Sequence, residues 1–192
     1  MSVPSLTDAL CSLAAELCTA LSLYTTALSE PCEHCISDIS ECNRRASSLA
    51  ADTHARLFTL FCPPLPRAST ALLCEKLHAA VAEVFGASML PAPHSLPGAR
   101  LSGELQSLCR MGELIRHEID RLPVLMKGKN APPPDTYAYY TELTRARAAH
   151  ALFLSHGARS PEERAVMDAL SAVTRSLGEV YAALLFLMME EL

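Results

Sequence analysis

LSGELQSLCRMGELIRHEIDRL, residues 101–122, places Leu101, Leu105, Leu108, Gly112, Ile115, Ile119 and Leu122 at alternating steps of four and three. That spacing lines one face of an α-helix and leaves the charged residues elsewhere on its surface. The same period recurs on both sides. Before it lies the stripe Leu6, Leu10, Leu13, Leu17, Leu21, Tyr24 and Leu28, followed by Cys35, Ile39, Cys42, Ala46, Leu49, Thr53, Leu57 and Leu60. Leu73, Leu77, Ala80 and Val84 make a third stripe. After it, Tyr139, Leu143, Ala146, His150 and Phe153 share a more weakly patterned face, and Val166, Leu170, Val173, Leu177, Val180, Leu184 and Leu187 form the last.

Proline and glycine punctuate these segments. Ser29-Glu30-Pro31 separates the first two, Cys62-Pro-Pro-Leu-Pro-Arg67 the next pair, and Gly86 is placed to stop the third. The 87–99 segment, with Pro91, Pro93 and Pro97, and the Lys127–Pro134 segment read as loops. Ser160 and Pro161, followed by Glu162 and Glu163, mark a capped helix start. Six helices are therefore expected, over about 5–29, 31–61, 66–85, 101–125, 135–155 and 161–190. No strand alternation of any length interrupts them. The expected fold is a single all-α domain spanning 1–192, a six-helix bundle split by the 87–99 loop into two three-helix units.

Half of the 192 residues are apolar, enough for a sizeable core, and the net charge of −5 gives no general attraction to nucleic acid or anionic membrane. The start Met1–Leu6 lacks a basic region followed by a long apolar run, and the longest apolar run, Val180–Met189, falls well short of the roughly 20 residues of a spanning helix. A cytoplasmic protein with no membrane insertion is the expectation. The eight cysteines then read as reduced, buried thiols rather than a disulfide framework.

Catalytic motifs are absent: no nucleophile elbow, phosphate loop, dinucleotide fingerprint or H-E-x-x-H. Cys32-x-x-Cys35 lacks the second close pair that zinc prefers and the preceding strand of a thioredoxin-like site, so packed thiols are the plainer reading. Glu75-x-x-His78 has the spacing of half a di-iron carboxylate site, but no second such pair exists. Glu113, His117 and Asp120 share a helix face, which reads as a solvated stripe with local charge pairs. His150, on an inward face, reads as a hydrogen-bonded core residue, and Tyr137, Tyr139 and Tyr140 as packing at a helix end. Met188-Met189 is either a partner-binding end or the last turn of core.

Phe61-Cys-Pro-Pro-Leu-Pro-Arg67, between two long helices, resembles the F-x-T-P-F-D-R segment of PhoU-like proteins, accessory proteins of phosphate uptake, in their short single-domain branch. Leu170–Val180 is similar to that family's L-E-x-x-x-D-x-x-x-x-V stretch, and Ala151-Leu-Phe153 to its "ALF" helix end. The resemblance implies a bundle of two three-helix units. It also implies paired acids that bind iron, zinc or other divalent ions, and here this sequence departs from it. The acid positions hold Ser171 and Arg175 in the last helix, His78 and Ala82 in the third, and Asn43 and Ser47 in the second. Glu142 is retained in the fifth, and the acid of the proline turn is Pro66. An arginine in place of a metal ligand repels the cation.

The resemblance thus implies the fold without the metal clusters: a non-enzymatic accessory or regulatory protein linked to inorganic phosphate transport, acting by protein–protein docking. Its partner would be a transporter's cytoplasmic face or another copy of itself. No catalytic, cofactor-binding or metal residues are expected. The alternatives are a ferritin-like metal-binding bundle using Glu75, His78, Glu113 and His117, or a helical scaffold unrelated to phosphate.

Overall fold

The computed structural model describes residues 5–29, 34–61, 63–90, 98–126, 133–155 and 160–191. Within them run six helices: α1 (Leu6–Ser29), α2 (Cys35–Thr59), α3 (Arg67–Ser88), α4 (Gly98–Leu125), α5 (Thr136–Ser155) and α6 (Pro161–Glu191). There is no strand among the described residues. The fold is an all-α six-helix bundle. The expected helix start at Pro31, the cysteines at 32 and 62, and segments 91–97, 127–132 and 156–159 lie outside the described residues.

Local chemistry sets the helix starts. Ser160 Oγ accepts the Glu163 amide at 3.2 Å, so the expected cap opens α6. Asp135 does the same for α5, accepting the Ala138 amide at 2.9 Å. At α1, Ser5 and Asp8 cap each other reciprocally: Ser5 N–H donates to the Asp8 carboxylate at 2.8 Å, and the Asp8 amide donates to Ser5 Oγ at 3.1 Å. α4 starts at Gly98, inside the 87–99 segment read as a loop, and two helix ends also differ from expectation. Gly86 does not stop α3, which continues to Ser88, with the closing residue Met89 still in right-handed helical backbone. α2 ends at Thr59, before residue 61, where Leu60 turns to extended backbone while its amide still bonds the Arg56 carbonyl.

α2 with α3, α4 with α5, α1 with α4 and α3 with α6 run antiparallel, and side chains cross-link the packed helices. Arg45 of α2 forks onto Glu16 of α1 through two 2.8 Å bonds. Ser47 of α2 meets His78 of α3 at 2.9 Å, Lys76 of α3 pairs with Glu179 of α6 at 2.8 Å, and Thr25 of α1 contacts Cys109 of α4 at 3.2 Å. α1, α2 and α3 pack on one another, as do α4, α5 and α6, and the two groups join through α1 on α4 and α3 on α6. One continuous core results. Gly112, buried on the α4 seam, lets α1 come close: a Cβ there would sit 2.7 Å from Leu21 Cδ1.

α2 and α5 are the outer helices, and they are not equal. α2 sends Ile39, Cys42, Ala46 and Ala50 into the core, whereas α5 supplies Tyr139 and Leu143 and touches α6 only sparsely. The second three-helix unit is therefore the looser one. α1 and α6 are long and apolar enough, by length and composition, to cross a membrane, contrary to the reading from uninterrupted runs. Their apolar residues are spread between small polar ones, so no long run is visible. In the fold, half of each such stretch is buried against the other helices.

Candidate functional site

Two buried glutamates sit on the inner side of α4, four helical turns apart, with opposite surroundings. Glu118 is 2% exposed and satisfied: Arg121 pairs with it, and the Asp135 amide at the start of α5 donates to its Oε1 at 3.3 Å. Glu104 is equally buried at 2% exposure, yet its Oε1 has no hydrogen-bond partner. Burial without a compensating cation pushes its carboxyl up to about 7.

Glu104 lies at a cavity of about 90 Å³ where α4, α5 and α6 meet, lined also by Ala146, Arg147, His150, Ser171 and Thr174. This is the place where α5 stands off from α6. His150 Nδ1 lies 3.9 Å from Glu104 Oε1, too far for a hydrogen bond, and that nitrogen is itself buried without a partner. The expectation of a hydrogen-bonded core histidine is thus corrected at Nδ1: α5 holds the ring too far from the carboxylate to bond it. From α1, Tyr24 is buried with its hydroxyl unpartnered, and the Glu104 charge adds to the burial that raises its pKa. Arg147, on the exposed side, makes no ion pair with Glu104. Two orphaned polar atoms, Glu104 Oε1 from α4 and His150 Nδ1 from α5, thus belong to residues that line one small space, with the Tyr24 hydroxyl near enough to feel the Glu104 charge. Only His150 among them was singled out by sequence reasoning. Glu104 stands three residues after Leu101 and four before Leu108, on the flank of the seam, so the spacing carried a signal for its burial that a reading of apolar residues alone passes over.

On the other side of α5 an open groove of about 700 Å³ runs between α4 and α5. It is lined by Gly103, Gln106, Ser107, Arg110, Glu142 and Arg145. Its charges are already matched: Glu142 accepts from Ser107 at 3.0 Å and from Arg145 at 2.6 Å, and Arg110 pairs with Glu113.

The remaining sequence candidates are not brought together. Glu75 is exposed, and His78 bonds Ser47 with no carboxylate joining them. Glu113, His117 and Asp120 are exposed, with Arg110 and Arg116 beside the two acids. Among the described residues, no group of three or more His, Cys, Asp or Glu side chains is arranged to hold a metal ion. Tyr139 is buried and stacked on Tyr181 at 3.7 Å between ring centroids, while Tyr137 and Tyr140 stay exposed.

The cysteines need one correction. Cys11, Cys18, Cys42, Cys74 and Cys109 are free thiols, but Cys35 is disulfide-bonded, its partner lying outside the described residues. Burial raises Cys11, Cys18, Cys42 and Cys74 to about 11, so these four are protonated and unreactive at neutral pH.

Large apolar side chains are exposed mainly at one end of the bundle, where α1, α3 and α5 begin and α2, α4 and α6 finish. Phe58 and Phe61 are 80% and 96% exposed and Met189 is 73% exposed, with Leu72 and Phe186 also partly bare. Val124, Tyr137 and Tyr140 lie at the same end on α4 and α5. Arg67 holds the turn below Phe61 in place by donating to the Leu60 and Phe61 carbonyls. No protein-family model matches the chain, and no curated protein matches it.

Proposed function

We propose that this chain is a non-catalytic, cytoplasmic docking protein of the PhoU-like kind, serving inorganic phosphate transport by binding a partner protein at the apolar end of its bundle. The observation that carries the docking half is the concentration of exposed Phe58, Phe61, Leu72, Phe186 and Met189 at that end. Isolated exposed apolar residues are ordinary, but a cluster from the ends of three packed helices is a characteristic interaction surface. Aromatic and methionine side chains are also the types enriched at protein interfaces. The link to phosphate rests on the resemblance of Phe61–Arg67 and Leu170–Val180 to the family's segments. The partner this reading implies is the cytoplasmic face of a phosphate transporter.

The test is disruption of the gene, with phosphate uptake and the phosphate-starvation response measured afterwards. A chain carrying Phe58→Ser, Phe61→Ser and Met189→Ser is then supplied in place of the natural one. Altered uptake or signalling on disruption, reproduced by the folded triple variant, is the expected result. Unchanged uptake and signalling in the disrupted strain would remove the phosphate link and leave a helical scaffold. If the purified chain sediments as a dimer and the triple variant as a monomer, the apolar end joins two copies instead.

A further inference from the structure

We propose that the cavity between α4, α5 and α6 is a binding site for a small monovalent cation rich in N–H donors, of the size of ammonium or methylammonium. It lies toward the end of the bundle opposite the apolar cluster, so it stands independently of what docks there.

The argument starts from unmet needs. Glu104 Oε1, His150 Nδ1 and the Tyr24 hydroxyl are all buried without partners. Native interiors leave few such groups, and an unpaired carboxylate is the costliest of them. An imidazole nitrogen without its own proton is an acceptor, and a donor ligand at His150 Nδ1 would meet it as one, so the cavity offers acceptors on two sides. The 3.9 Å between Glu104 Oε1 and His150 Nδ1 is a span that one bridging donor atom can serve from both sides. Ser171 and Thr174 line the same space.

Charge and size narrow the occupant. An anion would meet the Glu104 carboxylate. A divalent transition metal needs three or four protein ligands, and only Glu104 and His150 lie close here. Potassium brings charge but no donor for His150 Nδ1, and water brings donors but no charge. A small ammonium group brings both. The volume, about 90 Å³, accommodates ammonium or methylammonium, and a quaternary ammonium ion carries no N–H to offer His150 Nδ1. Of the charged and titratable groups around the carboxyl, Tyr24 comes from α1 and His150 and Arg147 from α5, while α6 adds only hydroxyls. None of these hydrogen-bonds Glu104 Oε1.

Thermal unfolding of the full chain at pH 8, at constant ionic strength, tests this with ammonium, methylammonium, potassium, tetramethylammonium and zinc ions. Ammonium and methylammonium are expected to raise Tm saturably in the natural protein, with potassium and tetramethylammonium without effect. Glu104→Gln, checked for helicity, is expected to abolish the response. A second measurement needs no variant. Proton and cation compete for one carboxylate, so a tenfold excess of ammonium over its Kd lowers the Glu104 carboxyl titration by carbon NMR from about 7 to about 6. Equal responses to ammonium and potassium, no response to either, or a response that survives Glu104→Gln overturns the proposal. So does saturable zinc binding lost in the same variant, which would make the site a metal site.

Discussion

Glu104 turns its surroundings into a pH dependence. Its carboxyl titrates at about 7 in the fold against an ordinary 4.5. Between those values the native state holds a proton that the unfolded chain has released, so stability falls as pH rises from about 4.5 to 7 and stays reduced above it. The difference corresponds to about 3 kcal/mol at most. Glu104→Gln removes the charge and is expected to match the natural protein near pH 4.5 and exceed its Tm by several degrees at pH 8 in ammonium-free buffer. A Tm that runs parallel to that of the natural protein across this range would count against the orphaned carboxylate. Glycines supply a second contrast. Gly112 faces Leu21 and Cys18 at the α1–α4 contact, whereas Gly178, within α6, has open space where a Cβ would go. Gly112→Val is expected to destabilise by about 1–3 kcal/mol through overpacking, and Gly178→Ala to stabilise by about 0.5–1 kcal/mol through helix propensity. Urea unfolding of the two variants checks both signs.

Helices differ in how much of their stability is their own. α6 begins with a side-chain cap from Ser160 and two acids in the first turn. Ser160→Ala should cost about 1 kcal/mol, read from chemical denaturation, because the Glu163 amide loses its partner. α5 relies on packing that it makes only in part. Its buried residues are Tyr139, Leu143 and Ala146, and its contact with α6 is sparse. Amide hydrogen exchange is expected to be faster along α5 than along α2, its counterpart in the first unit. Equal protection in the two would show that the looser packing has no energetic consequence. The weak periodicity of residues 136–155 was legible as a weak pattern. What it meant was not, since a short apolar face is equally compatible with a tightly packed helix of small residues.

For the molecule as a whole, the apolar end can be separated from the core. Phe58, Phe61 and Met189 point outward while Leu57, Leu65 and Met188 beside them are buried. The triple serine variant should therefore keep its helicity and hold its Tm within a few degrees, with any loss confined to partner binding. A collapse of Tm would mean that these side chains support the fold. Met188 and Met189 show why the sequence could not choose between an exposed end and a last turn of core: adjacent residues on a helix point about 100° apart, and Met188 is buried while Met189 is exposed. The sequence by itself determined the helices, their approximate limits and the faces they bury, because period and capping act over a few residues. Leu101, Leu105, Leu108, Ile115, Ile119 and Leu122 are all buried as their spacing requires. Tertiary structure alone decided which polar residues on those helices lost water without gaining a partner. Glu104 and Glu118 are the same residue on one helix, and only the approach of α5 gives Glu118 the Asp135 amide and leaves Glu104 facing a cavity. Such differences depend on a few ångströms between distant segments, a quantity that no local pattern encodes.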